Sequence, residues 1–238
     1  DILVSGARVI VGSSHGLVLL PPAQEKPRRM LEQSHINALS PGPTEHQIWV
    51  GTMNNLYLAD LVDGHVEHVP FFSSRTVRAV WRSSSAPRRV YVGCDRGLFF
   101  YSTEFSQWLR AELGISPVTC CHITGDARGE HLFLATDHGV FMSQDSGLTF
   151  NRQTSGLPDL PCTSITIAGS RIVALFSNNT LYHKDVNEFQ WHRLAGFEIP
   201  VWDVWCEEGR DEILVGTRGF GVIALDSSCC LVPVTAGM

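Results

Sequence analysis

Lysine and long apolar runs are the scarcest features of this sequence of 238 residues. Lys26 and Lys184 are the only lysines among 18 basic residues, and the formal net charge is −6. A net negative charge gives no general attraction to nucleic acid or to an anionic membrane surface. No apolar run approaches the length that spans a bilayer. The composition therefore predicts a globular chain with no nucleic-acid partner and no membrane insertion.

The common motifs of enzyme active sites are also missing. The chain has no P-loop, no G-x-G-x-x-G and no G-x-S-x-G nucleophile turn. Cys120, Cys121 and His122 are adjacent in the sequence, whereas zinc ligands usually show a Cys-x₂-Cys spacing. We therefore predict no catalytic residue, no metal site and no cofactor.

The cysteines bear on the cellular compartment. There are 7, an odd number, in a chain long enough to build a core without disulfides. This favours small buried cysteines in a reducing, intracellular compartment. Asn178-Asn179-Thr180 fits the N-glycosylation sequon, which keeps a secreted protein or an ectodomain as the alternative.

Internal repetition is the most informative feature of the chain. Six segments each consist of an apolar run, a small residue, a short polar turn and a second apolar run. They are RVIVGSSHGLVLL from Arg8, QIWVGTMNNLYLA from Gln47, RVYVGCDRGLFFY from Arg89, HLFLATDHGVFMS from His131, RIVALFSNNTLYH from Arg171 and EILVGTRGFGVIAL from Glu212. The small-residue positions are Gly12, Gly51, Gly93, Ala135, Leu175 (the exception in size) and Gly216.

Each segment also has the turn residues of a β-hairpin. Gly16, Asn55, Gly97, Gly139 and Asn179 come four residues after the small position, and Gly221 comes five after it, because Phe220 is inserted in the sixth copy. Gly and Asn accept a positive φ at the least cost, and a tight hairpin turn needs a positive φ. Further short apolar runs before and after each hairpin bring the count to four strands per repeat.

Four strands in each repeat of about 40 residues are typical of a β-propeller. We predict an all-β fold, a six-bladed β-propeller of four-stranded antiparallel blades forming one domain over residues 1–238. The predicted blades are 1–32, 33–73, 74–114, 115–158, 159–196 and 197–238. A seventh blade outside this sequence is the alternative.

One polar octapeptide, SQDSGLTF from Ser143 to Phe150, separates the third and fourth predicted strands of the fourth repeat. Asp145 is suited to accept hydrogen bonds from the backbone of its own turn, and Gly147 permits the reversal of the chain. Ser143, Asp145, Gly147, Thr149 and Phe150 match the pattern S-x-D-x-G-x-T-[WF]. The segment therefore resembles the Asp-box of BNR-type propeller repeats, and this resemblance implies a structural hairpin away from the ligand-binding face.

The wider repeat pattern is similar to that of two-component-regulator, sortilin-type and photosystem-assembly propellers. Such a likeness marks a fold and no particular activity. By analogy with that architecture, we expect ligands on the face that carries the turns between the second and third strands. Charged and aromatic residues in these turns and at the start of the first strands are the candidates, because Arg and aromatic side chains are enriched at interface anchors. The predicted partner-binding residues are Arg78, Asp95, Arg96, His138, Trp202, Arg218 and Phe220.

The leading hypothesis is a non-catalytic recognition, scaffold or sensor propeller that binds a protein or peptide partner, or a small-molecule ligand, on the hairpin-turn face around the central channel. The alternative is a glycan-acting, sialidase-like propeller enzyme or a lectin. Against the sialidase, the R-I-P tripeptide of that family is absent, and the four tyrosines all fall on hairpin strands. Against the lectin, the six turns differ too much to repeat one sugar site. An intracellular regulatory propeller of the citron-homology type is a further alternative.

Overall fold

The computed structural model describes residues 1–5, 8–20, 26–83, 89–102, 105–115, 118–126, 131–206, 209–210, 212–226 and 231–232. Within these ranges β-strand is the main regular structure, and a short 3₁₀ turn at Pro70–Phe72 is the only helical element. None of the described helical structure has the length and apolar character needed to cross a bilayer.

The strands form six antiparallel sheets of four strands, so the chain is a six-bladed β-propeller. In every blade the strands are hydrogen-bonded in the order in which they occur in the sequence. Each sheet lies within one of the six segments predicted from the repeats. The chain divides into two compact units, Asp1–Ala111 and Glu112–Met238, with three blades in each.

The first unit contains blades one to three. Its strands are β1 Ile2–Ser5, β2 Arg8–Ser13, β3 Gly16–Leu20, β4 Arg28–Met30, β5 Ile36–Pro41, β6 Gln47–Thr52, β7 Leu56–Asp60, β8 Val66–His68, β9 Val77–Arg82, β10 Val90–Cys94, β11 Gly97–Ser102 and β12 Gln107–Arg110. Buried aliphatic side chains fill the space between neighbouring blades: Ile10 and Leu17 of blade one pack with Ile48 and Val50 of blade two.

The second unit contains blades four to six. Its strands are β13 Cys120–Gly125, β14 Leu132–Thr136, β15 Gly139–Ser143, β16 Asn151–Gln153, β17 Cys162–Ala168, β18 Arg171–Phe176, β19 Thr180–Asp185, β20 His192–Gly196, β21 Val201–Cys206, β22 Ile213–Thr217, β23 Val222–Leu225 and β24 Leu231–Val232. Phe133 and Val140 of blade four share a core with Ile172 and Trp191 of blade five.

The hairpin turns largely have the backbone that their residues predict. Gly16, Gly97, Gly139 and Gly221 have positive φ angles, as does Asn179 at 59°. Asn55 is the exception, because its φ is not positive. Its turn is held instead by Thr52, whose Oγ1 accepts hydrogen bonds from the backbone N–H groups of Asn54 at 3.3 Å and Asn55 at 3.0 Å.

Two of the small hairpin residues, both in the first unit, have a packing role. A Cβ placed on Gly51 would lie 2.5 Å from Cγ1 of Val77, the first residue of the next blade. A Cβ on Gly12 would lie 2.5 Å from Cγ2 of Ile36, which begins blade two. A small residue therefore lets the first strand of one blade pack closely against the second strand of the blade before it.

We predict that Gly51→Ala lowers the free energy of unfolding by about 1–3 kcal/mol, because the added methyl overpacks the contact with Val77. The matched control is Gly216→Ala at the equivalent position of blade six, where the nearest atom to a new Cβ is the Asp203 carbonyl oxygen at 3.8 Å. Urea denaturation of both variants measures the difference. Equal stabilities of the two variants would contradict this packing role.

The octapeptide forms a tightly hydrogen-bonded turn between β15 and β16. Asp145 Oδ1 accepts the backbone N–H groups of Leu148 at 3.1 Å and Thr149 at 2.9 Å, and Oδ2 accepts the Thr149 hydroxyl at 2.6 Å. Ser143 Oγ donates to Asp145 at 2.7 Å and accepts the N–H of Gly147 at 2.8 Å. Gly147 has a φ of 77°, and Phe150 is buried. The polar residues of this segment thus satisfy one another within the turn.

We predict that Asp145→Ala lowers the free energy of unfolding by about 1 kcal/mol at pH 7. Slight burial raises the pKa of Asp145, but hydrogen bonds from Thr149, Ser143 and Leu148 outweigh it and hold the pKa below its usual value. A carboxylate with a lowered pKa stabilises the fold above its unfolded pKa, and this contribution is lost as the pH falls through its folded pKa.

The difference in stability between Asp145→Ala and the wild type should therefore shrink as the pH is lowered below about 4. Urea denaturation at a series of pH values measures it, with Gln144→Ala as the control for an exposed side chain of the same turn. A difference that stays constant down to the lowest pH would show that the carboxylate charge is not involved.

Candidate functional site

The first strands of blades two to six all contain a β-bulge near their beginning. In blade two, Ile36 pairs with Thr52 and Ala38 with Gly51, so that Asn37 between them has no partner in the neighbouring strand. The same interruption occurs in the other four blades. The residues at the bulge are Asn37 and Arg78 in the first unit, and Cys121, Thr163 and Trp202 in the second.

A bulge redirects a side chain away from the alternation of the strand. The residue before each bulge is buried in blades two to five, at Ile36, Val77, Cys120 and Cys162. By contrast, Arg78, Thr163 and Trp202 at the bulge are exposed, and Asn37 and Cys121 are half-buried. The bulge position therefore presents one accessible side chain per blade, and these side chains differ from blade to blade.

Blade six brings three of the predicted residues into one region. The guanidinium carbon of Arg218 lies 5.7 Å from the centre of the Trp202 ring, within the range of a cation–π contact. The backbone N–H of Arg218 donates to the Pro200 carbonyl at 2.9 Å, which holds the turn against the chain that leads into β21. Phe220 lies in the same turn as Arg218. Trp202 is 64% exposed and Phe220 is 67% exposed.

The other four predicted residues lie in blades three and four. Asp95 and Arg96 form the turn between β10 and β11, where Arg96 Nε is 4.0 Å from Asp95 Oδ2. Arg78 is the exposed residue at the bulge of β9. His138 lies in the blade-four turn, with Nδ1 2.9 Å from Asp137 Oδ1. The structure thus groups Trp202 with Arg218, and it places His138 within a separate turn.

Three polar residues that the sequence analysis did not select connect the first strands of the second unit. His122, Ser164 and Asp203 each follow the bulge in their own blade. Ser164 Oγ donates to Asp203 Oδ1 at 2.5 Å and lies 3.3 Å from His122 Nδ1. The N–H of Ile165 donates to the same His122 nitrogen at 3.2 Å. Because Nδ1 accepts this bond, the proton of the neutral imidazole is on Nε2.

A signal for these residues was present in the repeat. His122, Ser164 and Asp203 pair across the sheet with Ala135, Leu175 and Gly216, which are the small-residue positions of blades four to six. Each of the three residues could therefore have been identified from the sequence, by asking which residue of the predicted first strand lies opposite the small-residue position of the second strand. The corresponding residues of blades two and three are Ala38 and Ala79, so this polar set belongs to the second unit.

Burial lowers the pKa of His122, although the nearby Asp203 carboxylate opposes the shift. A histidine with a lowered folded pKa takes up a proton more readily in the unfolded chain, so stability falls as the pH drops through the unfolded pKa near 6.5. We predict that between pH 7 and 5 the wild type loses more stability than His122→Asn does.

The measurement is urea denaturation at several pH values across that window. His15→Asn, which removes an exposed histidine, should follow the wild type. His183, whose pKa is also lowered by burial, contributes to the same window in all three proteins. Identical pH profiles for the three proteins would contradict a neutral His122 with a lowered pKa.

No group of three histidine, cysteine, aspartate or glutamate side chains is placed to hold a metal ion in the described part of the chain. The five cysteines found there are thiols and not disulfides: Cys94, Cys120, Cys121, Cys162 and Cys206. Cys229 and Cys230 lie outside the described residues. Burial raises the pKa of Cys94 to about 11, so this thiol is not disposed to react as a thiolate.

No protein-family model matches the chain, and no curated protein matches it. Solved structures do resemble it. The extracellular domain of a protein described as a hybrid two-component system from B. thetaiotaomicron has a TM-score of 0.75 at 13% identity, over 94% of this chain and 32% of that one. An ancestral GH74 enzyme has a TM-score of 0.76 at 15% identity, over 98% of this chain and 37% of that one.

A third solved structure is closer to this chain in length. It is the β-propeller domain of Cps50 (Swd1) from Myceliophteria thermophila, with a TM-score of 0.73 at 11% identity, over 97% of this chain and 84% of that one. This chain spans only about a third of the length of the two-component-system extracellular domain and of the GH74 enzyme. At these identities the likeness shows the β-propeller fold alone, which serves a sensor domain and a glycoside hydrolase alike.

Proposed function

We propose that this propeller is a non-catalytic recognition domain and that it binds a protein segment through the turn of blade six. The observation that carries the proposal is the exposed contact between Arg218 and Trp202, with the exposed Phe220 in the same turn. Tryptophan and arginine are enriched among the residues that dominate the binding energy of protein interfaces.

The fold does not require these side chains. Thr217 closes the turn through its backbone N–H and its Oγ1, which donate to the Gly221 carbonyl at 2.9 and 2.7 Å. Gly219 and Gly221 supply the positive φ angles on either side of Phe220. Phe220 therefore closes no hydrogen bond and sets no backbone reversal, yet it leaves a large apolar surface in water.

The charges in this region indicate the chemistry of the partner. No carboxylate lies within 4 Å of the Arg218 guanidinium among the residues described. Asp203, the nearest acidic residue in sequence to Trp202, accepts hydrogen bonds from Ser164 and from the N–H of Val204 at 2.9 Å. A planar guanidinium beside two exposed aromatic rings suits a segment that carries one carboxylate and one apolar or aromatic side chain.

A glycan-cleaving enzyme is less well supported by the arrangement of acidic groups. Glycoside hydrolysis generally uses a pair of carboxyl groups on either side of the scissile bond. Asp203 is the only aspartate or glutamate on the six first strands as the structure describes them. This favours recognition over hydrolysis at the position where the bulges expose side chains.

We predict that Phe220→Ala weakens binding of the partner segment at least about tenfold, with no change in melting temperature. Ligands are first selected from a library of random 12-residue peptides displayed on phage, using the wild type as bait. The triple variant Trp202→Ala, Arg218→Ala, Phe220→Ala serves for counter-selection. Fluorescence polarisation then measures the affinity of the selected peptides.

The matched control is Leu148→Ala, which truncates an exposed apolar side chain in the blade-four octapeptide turn. This variant should bind as the wild type does. Selected peptides should share an acidic and an aromatic or aliphatic residue. Equal affinity of the wild type and Phe220→Ala for these peptides would reject the proposed site.

A further inference from the structure

A second site in the second unit involves the buried lysine of blade five. Between the outer parts of blades four and five lies a cavity of about 360 Å³, which is within the usual size range of small-molecule sites. Its lining is mainly polar, and it includes four side-chain amides, the Lys184 ammonium and a few apolar groups. The lining residues are His131, Met142, Gln144, Asn151, Gln153, Lys184, Val186, Asn187, Glu188 and Phe189.

Lys184 is only 2% exposed, but its partners in the described part of the chain are all uncharged. Nζ donates to the Glu188 carbonyl at 3.0 Å, and it lies 3.5 Å from Gln153 Oε1 and 3.9 Å from Met142 Sδ. No carboxylate lies within 4 Å of it among those residues. Nζ also lies 5.5 Å from the centre of the Trp191 ring, within the range of a cation–π contact. Buried charges in proteins are normally paired with an opposite charge, whereas this ammonium contacts uncharged groups alone within the described ranges.

The repeat itself does not need a cation at this position. Lys184 pairs with Ile172, which is three residues before the small-residue position of blade five. The residues at the same register in four other blades are Leu20, Ala59, Ser143 and Leu225. Each is apolar or small. The register of the sheet therefore does not itself call for a cation at this position.

We propose that the cavity binds a small monocarboxylate whose oxyanion contacts the Lys184 ammonium. The amide groups of Gln144, Asn151 and Asn187 are available as donors around the same cavity. Met142 and Val186 offer an apolar surface, and Phe189 at the mouth is 83% exposed. The ligand is therefore a single carboxylate attached to a compact apolar or aromatic group.

The acidic residues around the cavity restrict the ligand to one negative charge. Glu188 lines the cavity, and its Oε2 accepts the backbone N–H of Asp185 at 3.2 Å. Burial lowers the pKa of Lys184, while Glu188 and Asp185 act in the opposite direction. A dianion would meet repulsion from Glu188, whereas a monocarboxylate replaces the missing counter-charge. This site is separate from the blade-six surface and does not depend on it.

The test compares benzoate with benzamide, which has nearly the same shape and no charge. Isothermal titration calorimetry measures both probes against the wild type, Lys184→Leu and Lys26→Leu, which replaces the other lysine of the chain. Benzoate should bind the wild type and Lys26→Leu at least about tenfold more tightly than benzamide, and this preference should disappear in Lys184→Leu. The proposal would be overturned if the wild type bound the two probes equally, or if Lys184→Leu bound benzoate as the wild type does. It would also be overturned if the wild type did not bind benzoate at millimolar concentration.

Two further measurements do not depend on the affinity. Protein labelled with ¹³C at the lysine Cε gives two lysine signals, and benzoate should raise the pKa of the Lys184 signal, whereas benzamide should not. Without ligand, Lys184→Leu should melt at the same temperature as the wild type or higher, because it removes an unpaired buried charge. A lower melting temperature for this variant would show that the fold uses the ammonium and would contradict the argument.

Discussion

The close approach between the first strand of one blade and the second strand of the blade before it is the constraint on which the rest of the structure depends. Gly12 and Gly51 leave room for Ile36 and Val77, and a Cβ at either glycine would meet those side chains at 2.5 Å. The next residue in each first strand, Asn37 or Arg78, has no partner in the ladder. In both strands a buried residue is thus followed by a more accessible one, half-buried at Asn37 and exposed at Arg78.

The same arrangement separates positions that serve the fold from positions that are free to vary. The bulge residue is Asn, Arg, Cys, Thr or Trp in blades two to six, and its backbone lies outside the register of the ladder. Asn37 Nδ2 donates to the Val77 carbonyl at 2.9 Å and Thr163 Oγ1 to the Leu175 carbonyl at 3.3 Å. Arg78 and Trp202 are exposed. The residue after the bulge residue is alanine in blades two and three, but His122, Ser164 and Asp203 in the second unit. These three side chains form hydrogen bonds from one blade to the next. The variable positions are therefore where recognition residues are expected.

Most of the fold could be predicted from the sequence, because each repeat carries its own turn residues and all but the fifth, with Leu175, carry a small residue at the equivalent position. The grouping of Arg218 with Trp202 could be anticipated only in part, since it depends on the bulge that exposes Trp202. The bulges leave no local pattern in the sequence because they result from packing between blades. Lys184 could not be predicted as buried, since it is followed by Asp185 in a polar stretch, and only the register of β18 and β19 places it against the core.

Thiol labelling of the native protein tests most directly whether the bulges expose side chains. Cys120 is buried before the bulge of β13, and Cys121 at the bulge is half-buried. Brief treatment with a maleimide, followed by tandem mass spectrometry, assigns the label to one of these adjacent residues. The account predicts that Cys121 is labelled well before Cys120 and before the buried Cys162. Labelling of Cys120 as fast as Cys121 would contradict it.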